Sequence, residues 1–147
     1  MNLDKYQIRI DEDFLFFRFV SDGNLGRINK VIQYDKMSND VYNLGFGDEN
    51  PLTGQVDDTV VTNNGDMTKI LATVASSIYV FTQRNKNAWV YVTGSSQSRI
   101  RLYRMAINKY VNEISEDFVV YASLENGEWY PFESNINTKE FLIRRKI

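Results

Sequence analysis

Short apolar-rich runs separated by turn residues give the first fifty residues the pattern of a strand meander. Four runs carry it: Tyr6 to Ile10, Phe14 to Val20, Arg27 to Tyr34 and Val41 to Phe46. In the second run Phe14, Phe16 and Val20 alternate with Leu15, Phe17 and Phe19, so both faces are apolar and a central strand covered on both sides is predicted. Ser21-Asp22-Gly23-Asn24 closes it with turn residues. Residues 47–58 hold two glycines, a proline and four acids and read as an exposed loop, with a short strand at Thr59 to Thr62 after it.

The period then changes to that of a helix. Met67, Ile70, Leu71, Val74, Ala75, Ile78 and Phe81 share a face, with Asp66 placed to cap the first-turn amides. No charge falls between Lys69 and Arg84, so this helix is expected inside the core. Ala88 to Val92 reads as a strand and Gly94-Ser95-Ser96 as a turn. A second, amphipathic helix follows, its inner stripe formed by Ile100, Tyr103, Ile107, Tyr110, Val111 and Ile114. Phe118 to Leu124 and Glu128 to Phe132 make a hairpin about Glu125-Asn126-Gly127, whose Asn-Gly favours a type I′ turn. Phe141 to Lys146 is a closing edge strand with basic residues guarding its end, left open in a monomer or paired across a homodimer. The pattern as a whole predicts an α+β domain. Its sheet is mixed, mostly antiparallel and of about seven strands, with two main helices in the order β-β-β-β-(β)-α-β-α-β-β.

Length and composition narrow the chemistry. A chain of 147 residues, 43% of them apolar, forms one globular domain spanning residues 1–147. It has no cysteine and no histidine, so thiolate nucleophiles, imidazole bases and Cys/His zinc sites are excluded. The N-terminus lacks a basic and apolar leader, and no run of about 18 apolar residues occurs, so a cytoplasmic protein without a membrane span is expected.

Charge singles out the second helix. Arg99, Arg101 and Arg104 crowd its N-terminal half while Glu113, Glu116 and Asp117 gather at its C-terminal end. Both placements oppose the helix dipole, each at about 0.3–1 kcal/mol on an exposed helix. Gly94, Ser95, Ser96 and Ser98 with Arg99, Arg101 and Arg104 therefore form a candidate anion site of free amides, hydroxyls and guanidinium groups. The competing explanation is that these arginines pair with Asp48, Glu49, Asp57 or Asp58. Residues 1–66 carry 6 basic and 12 acidic side chains and residues 67–147 carry 11 and 7, a division that leaves a net −2 overall. Trp89, Tyr91 and Tyr110 are the aromatics a single-stranded nucleic acid would stack on, but the acidic pI of about 5.2 and their core-facing spacing argue against a nucleic-acid partner. The acidic loop offers hard oxygen ligands but no EF-hand spacing, and no metal is expected.

Two segments carry a resemblance, Asn63-Asn64-Gly65-Asp66-Met67-Thr68-Lys69-Ile70-Leu71-Ala72-Thr73-Val74-Ala75 and Gly94-Ser95-Ser96-Gln97-Ser98-Arg99-Ile100-Arg101-Leu102-Tyr103. They resemble a family of small bacterial proteins of unknown function, mainly from Bacteroidota, over nearly the whole chain. The element order is also similar to the Gcn5-related N-acetyltransferase core, in which a Leu-Tyr pair on the second helix supplies a general acid. That likeness implies acyl-coenzyme A as cofactor and casts Tyr103, in Leu102-Tyr103, as the acid. Asn63-Asn64-Gly65-Asp66 departs from that superfamily's pyrophosphate loop. Three readings follow. The first is a non-catalytic binding or regulatory domain, without cofactor, that recognises a partner protein or small anionic ligand through Gly94 to Arg104. The second is a divergent acyltransferase using Tyr103, and the third is single-stranded nucleic-acid binding.

Overall fold

The computed structural model describes residues 4–57, 62–94, 97–133 and 138–146, and of residues 97–99 and 102 the backbone alone. Among the described residues the fold is α+β, with eight strands of a mixed sheet and two helices. The chain clusters into two compact units, one of Asn2–Asp35 and Leu44–Arg84, the other of Lys36–Asn43 and Asn85–Ile147.

The first unit holds β1 (Arg9–Ile10), β2 (Phe16–Gly23), β3 (Gly26–Ser38) up to Asp35, β4 (Val41–Asp48) from Leu44, and α1 (Met67–Arg84), the strands following one another in the sheet. Only one face of β2 is fully buried, that of Phe17, Phe19 and Ser21. Phe16, Arg18 and Val20 are half-buried because a polar segment lies over them: Arg18 pairs with Glu49 and donates to the Gly54 carbonyl at 2.6 Å. Phe14, read as the start of this strand, instead ends the β1–β2 turn at φ 59°, its N–H on the Asp11 carbonyl at 2.9 Å and the Arg84 guanidinium 4.3 Å from its ring.

The 47–58 segment is not uniformly exposed. Gly47 and Asp48 belong to β4, and Asp48 is 8% exposed because it neutralises Lys30, which is 1% exposed. Lys30 also donates to the Thr62 carbonyl at 2.9 Å, and the Thr62 hydroxyl donates to Asp48 at 2.6 Å, so the buried pair is enclosed by further hydrogen bonds. The short strand expected at Thr59 to Thr62 falls largely on residues outside those described.

Helix α1 begins where the pattern placed it, and no residue from Lys69 to Thr82 is exposed. Its buried face is turned from the expected one: Ile70, Thr73, Val74, Ser77 and Phe81 are buried, whereas Leu71 and Ile78 are half-buried. Small hydroxyl residues occupy the inner face because they satisfy themselves, Thr73 donating to the Lys69 carbonyl at 2.8 Å and Ser77 to that of Val74 at 2.7 Å. Tyr34 stacks on Phe81 at 4.1 Å and shares a 2.8 Å hydrogen bond with Ser77, fixing β3 to α1.

The second unit contains β5 (Trp89–Thr93), α2 (Gln97–Asp117), β6 (Phe118–Ser123), β7 (Trp129–Pro131) and β8 (Glu140–Arg145), with strands in the order β5-β8-β6-β7. Within this unit the Trp89 N–H donates to the Asp40 carbonyl at 2.6 Å. Because β8 is antiparallel to both β5 and β6, those two run parallel, joined by α2. The C-terminal strand is thus interior. It is paired on both sides, Val90↔Ile143 and Val120↔Ile143, and has no open edge for a second copy. The β6–β7 hairpin also differs from the type I′ expectation: Gly127 donates to the Leu124 carbonyl at 2.9 Å and takes φ 83°, while Asn126 keeps an ordinary φ. This is a three-residue loop with glycine in the left-handed position, which accommodates the strands without forcing Asn126 left-handed.

Candidate functional site

The segment singled out by charge leaves the C-terminal end of β5. Gly94 is half-buried there; Ser95 and Ser96 lie outside the described residues, and Ser98 and Arg99 fall in the first turns of α2 with backbone alone described. Arg101 is exposed and makes no ion pair among the described residues. Arg104 and Tyr103 are half-buried and engaged with neighbours. Of the acids that were candidates to neutralise the arginines, Asp48 is taken by Lys30 and Glu49 by Arg18, Asp57 is engaged with neighbours, and Asp58 lies outside the described residues. The expected inner stripe of α2 holds, with Ile107 buried and Ile100, Tyr110, Val111 and Ile114 half-buried. The helix breaks its geometry at Tyr110 (φ −112°, ψ 16°).

Beside this segment the sheet presents two unlike faces. Val90, Val92, Ala122, Phe141 and Ile143 are buried on one. On the other, the register places Trp89, Tyr91, Leu142, Arg144, Tyr121 and Trp129, all half-buried except Trp129, which is 37% exposed. Trp89 and Tyr91 thus point away from the core, contrary to the sequence reading; the valines between them take the core positions. Their rings meet partners from other strands edge-on, Trp89 with Tyr121 at 5.7 Å and Tyr91 with Trp129 at 6.5 Å. The Arg144 guanidinium lies 5.3 Å from the Trp89 ring, and its buried Nε has no hydrogen-bond partner.

At the end nearest Gly94 the Tyr91 hydroxyl donates to Glu140, and burial together with that hydrogen bond pushes its pKa up to about 12. Tyr91 is therefore a neutral donor at physiological pH and holds Glu140 in place. Sequence reasoning missed Trp129, Tyr121 and Arg144. The available signal was a two-residue period, Trp89-x-Tyr91-x-Thr93, read without knowing which set of residues faced inward.

The other conspicuous motif, Asn63-Asn64-Gly65-Asp66, is a structural junction. Asn64, 1% exposed, donates to Ser21 Oγ (3.0 Å) and the Gly26 carbonyl (2.8 Å) and accepts from the Leu25 N–H (2.6 Å). The Asp66 carboxylate does not cap α1 as expected. One oxygen accepts from the Tyr6 and Ser21 hydroxyls at 2.5 Å each, the other is buried without a partner, and the first helical bond is made by the Asp66 carbonyl to Ile70 N–H at 3.0 Å.

Among the described residues no group of acids is arranged to hold a metal, and no helix is long and apolar enough to cross a membrane. The sequence model of a family described as a family of unknown function (DUF6934) matches residues 2–146. No curated protein and no solved structure matches the chain.

Proposed function

The chain belongs to that family of unknown function, and we propose that it is a non-catalytic binding domain recognising an anionic ligand or partner through the segment from Gly94 to Arg104. The observation that carries this reading is Arg101, exposed and without an ion pair among the described residues while Asp48 and Glu49 are occupied elsewhere. An exposed guanidinium close to the start of a helix, with no acid paired to it among the described residues, is matched in charge to a phosphate or carboxylate. Tyr103 is half-buried on the inner stripe of α2, where packing accounts for it.

A thermal-shift series tests the reading, using inorganic phosphate, nucleotides, acetyl-coenzyme A, single-stranded oligonucleotides and acidic peptides on the wild type and Arg101→Ala. Stabilisation by an anionic member of the series that shrinks in Arg101→Ala is the expected result. A shift of equal size in both proteins, or none with any member, contradicts it.

A further inference from the structure

We infer that the sheet face carrying Trp89, Tyr91, Tyr121 and Trp129 is a base-stacking surface for single-stranded nucleic acid, the anionic ligand of the site proposed above. The inference rests on that reading and specifies its ligand class. Three observations carry it. First, β5-β8-β6-β7 form a four-stranded antiparallel sheet with one buried face and one half-open face, and the half-open face bears four aromatic rings on three strands. Stacking on bases needs rings with an accessible side held rigid from behind. Here each tryptophan is fixed edge-on by a tyrosine from another strand, so ordering the platform costs little at binding.

Second, the charges on and beside this face suit a phosphate backbone. Arg144 stands over Trp89 with Nε unpaired and, among the described residues, makes no ion pair. Glu140, the acid on the face, is occupied by the Tyr91 hydroxyl. Lys139, which precedes β8, is exposed. Residues 85–147 carry nine Lys and Arg against seven Asp and Glu in a chain whose net charge is −2, so positive charge is concentrated in this unit. Third, Trp129 is exposed at the edge of the face, and the rings are not accompanied by a row of free donors and acceptors, the Glu140 carboxylate being taken by the Tyr91 hydroxyl. That favours sequence-tolerant stacking over base-edge readout. A duplex presents its bases already stacked and offers nothing to these rings.

Both tryptophans of the chain lie on this face, so intrinsic fluorescence reports on it alone. The experiment titrates wild type, Trp129→Ala, Arg144→Gln and Arg101→Ala with twelve-nucleotide oligo-dT, oligo-rU and a duplex of equal length, following tryptophan emission and fluorescence anisotropy of labelled strands. Trp129 is on an edge strand and partly exposed, so its variant is expected to fold, which circular dichroism checks. Quenching by single strands, absent with duplex, and binding about 5- to 150-fold weaker in Trp129→Ala are expected. The ratio of the oligo-rU and oligo-dT constants assigns RNA or DNA as the preferred strand. No binding of single strands by the wild type, or binding unchanged by Trp129→Ala, overturns the inference. If oligonucleotides fail while another anion in the thermal-shift series stabilises the wild type and not Arg101→Ala, the ligand class is wrong and the binding site stands; if the whole series fails, both fall.

Discussion

Tyr91 and Trp129 touch across two intervening strands. They belong to β5 and β7, three strand spacings or about 14 Å apart by backbone, yet their ring centroids lie 6.5 Å apart at 71°. The rings must lean towards each other over β8 and β6, which leaves Ser123, in register with Trp129, 8% exposed on an otherwise half-open face. Removing either ring therefore opens the floor between them. Trp129→Ala should cost less than a core aromatic, about 1–2 kcal/mol by partial loss of buried area, measured by urea denaturation.

Tyr91 also makes stability depend on alkaline pH. Its folded-state pKa is raised to about 12, chiefly by burial and then by donation to Glu140. A group whose pKa is raised by folding contributes stability that is complete below its unfolded value near 10 and lost as pH climbs through the folded value. Stability should fall between about pH 10 and 12. Tyr91→Phe should remove part of that slope, and phenolate absorbance at 295 nm should show one tyrosine fewer titrating late.

The buried Lys30–Asp48 pair predicts an asymmetry between single and double variants. Asp48→Ala leaves an ammonium buried at 1% exposure without its counter-charge, at a cost of about 3–5 kcal/mol. Lys30→Met combined with Asp48→Leu removes both charges and should recover most of that loss. A double-mutant cycle read by chemical denaturation checks it; additive losses would mean the two side chains are not coupled.

At the junction before α1, Gly23 and Asn64 lie too close for any side chain at residue 23. A Cβ there would meet the Asn64 carbonyl oxygen at 2.1 Å, a backbone atom. Gly23→Ala should destabilise by about 1–3 kcal/mol and expose the amides of Asn24 and Leu25 to hydrogen exchange, because both donate to Asn64.

Residue burial along α1 orders a further set of variants. Phe81→Ala should cost about 3–5 kcal/mol and exceed Leu71→Ala, since Phe81 is fully buried against Tyr34 and Leu71 only half-buried. Equal losses would restore the face predicted by hydrophobic spacing.

Local pattern was a good guide to elements and a poor one to neighbours. The two helices, the opening strands and the Phe118 hairpin follow from period, turn residues and glycine, all short-range properties. The position of β8 does not. Its Arg144 and Arg145 look like edge guards, but their guanidinium groups lie over Trp89 and Phe118, and pairing with both β5 and β6 depends on residues far away in the chain. The same limit hid the aromatic face, because a two-residue period shows that Trp89 and Val90 face opposite ways without saying which is inside. In α1 the inner face carries Thr73 and Ser77, whose hydroxyls are satisfied by the helix itself, so a hydrophobicity pattern points a few tens of degrees off. At the candidate site, Arg101 was legible as a charge placed against the helix dipole; that Asp48 and Glu49 would be occupied by Lys30 and Arg18 was not.

Equilibrium denaturation of wild type and Arg101→Ala, with and without a saturating single-stranded oligonucleotide, bears most directly on the account. Without ligand the two should differ by less than about 0.5 kcal/mol, as expected for an exposed side chain without an ion pair among the described residues. With ligand at 100 times its dissociation constant the wild type should gain about 2.7 kcal/mol and the variant distinctly less. Equal gains, or an unliganded variant weaker by several kcal/mol, would make Arg101 a structural residue and contradict the assignment of this surface to ligand recognition.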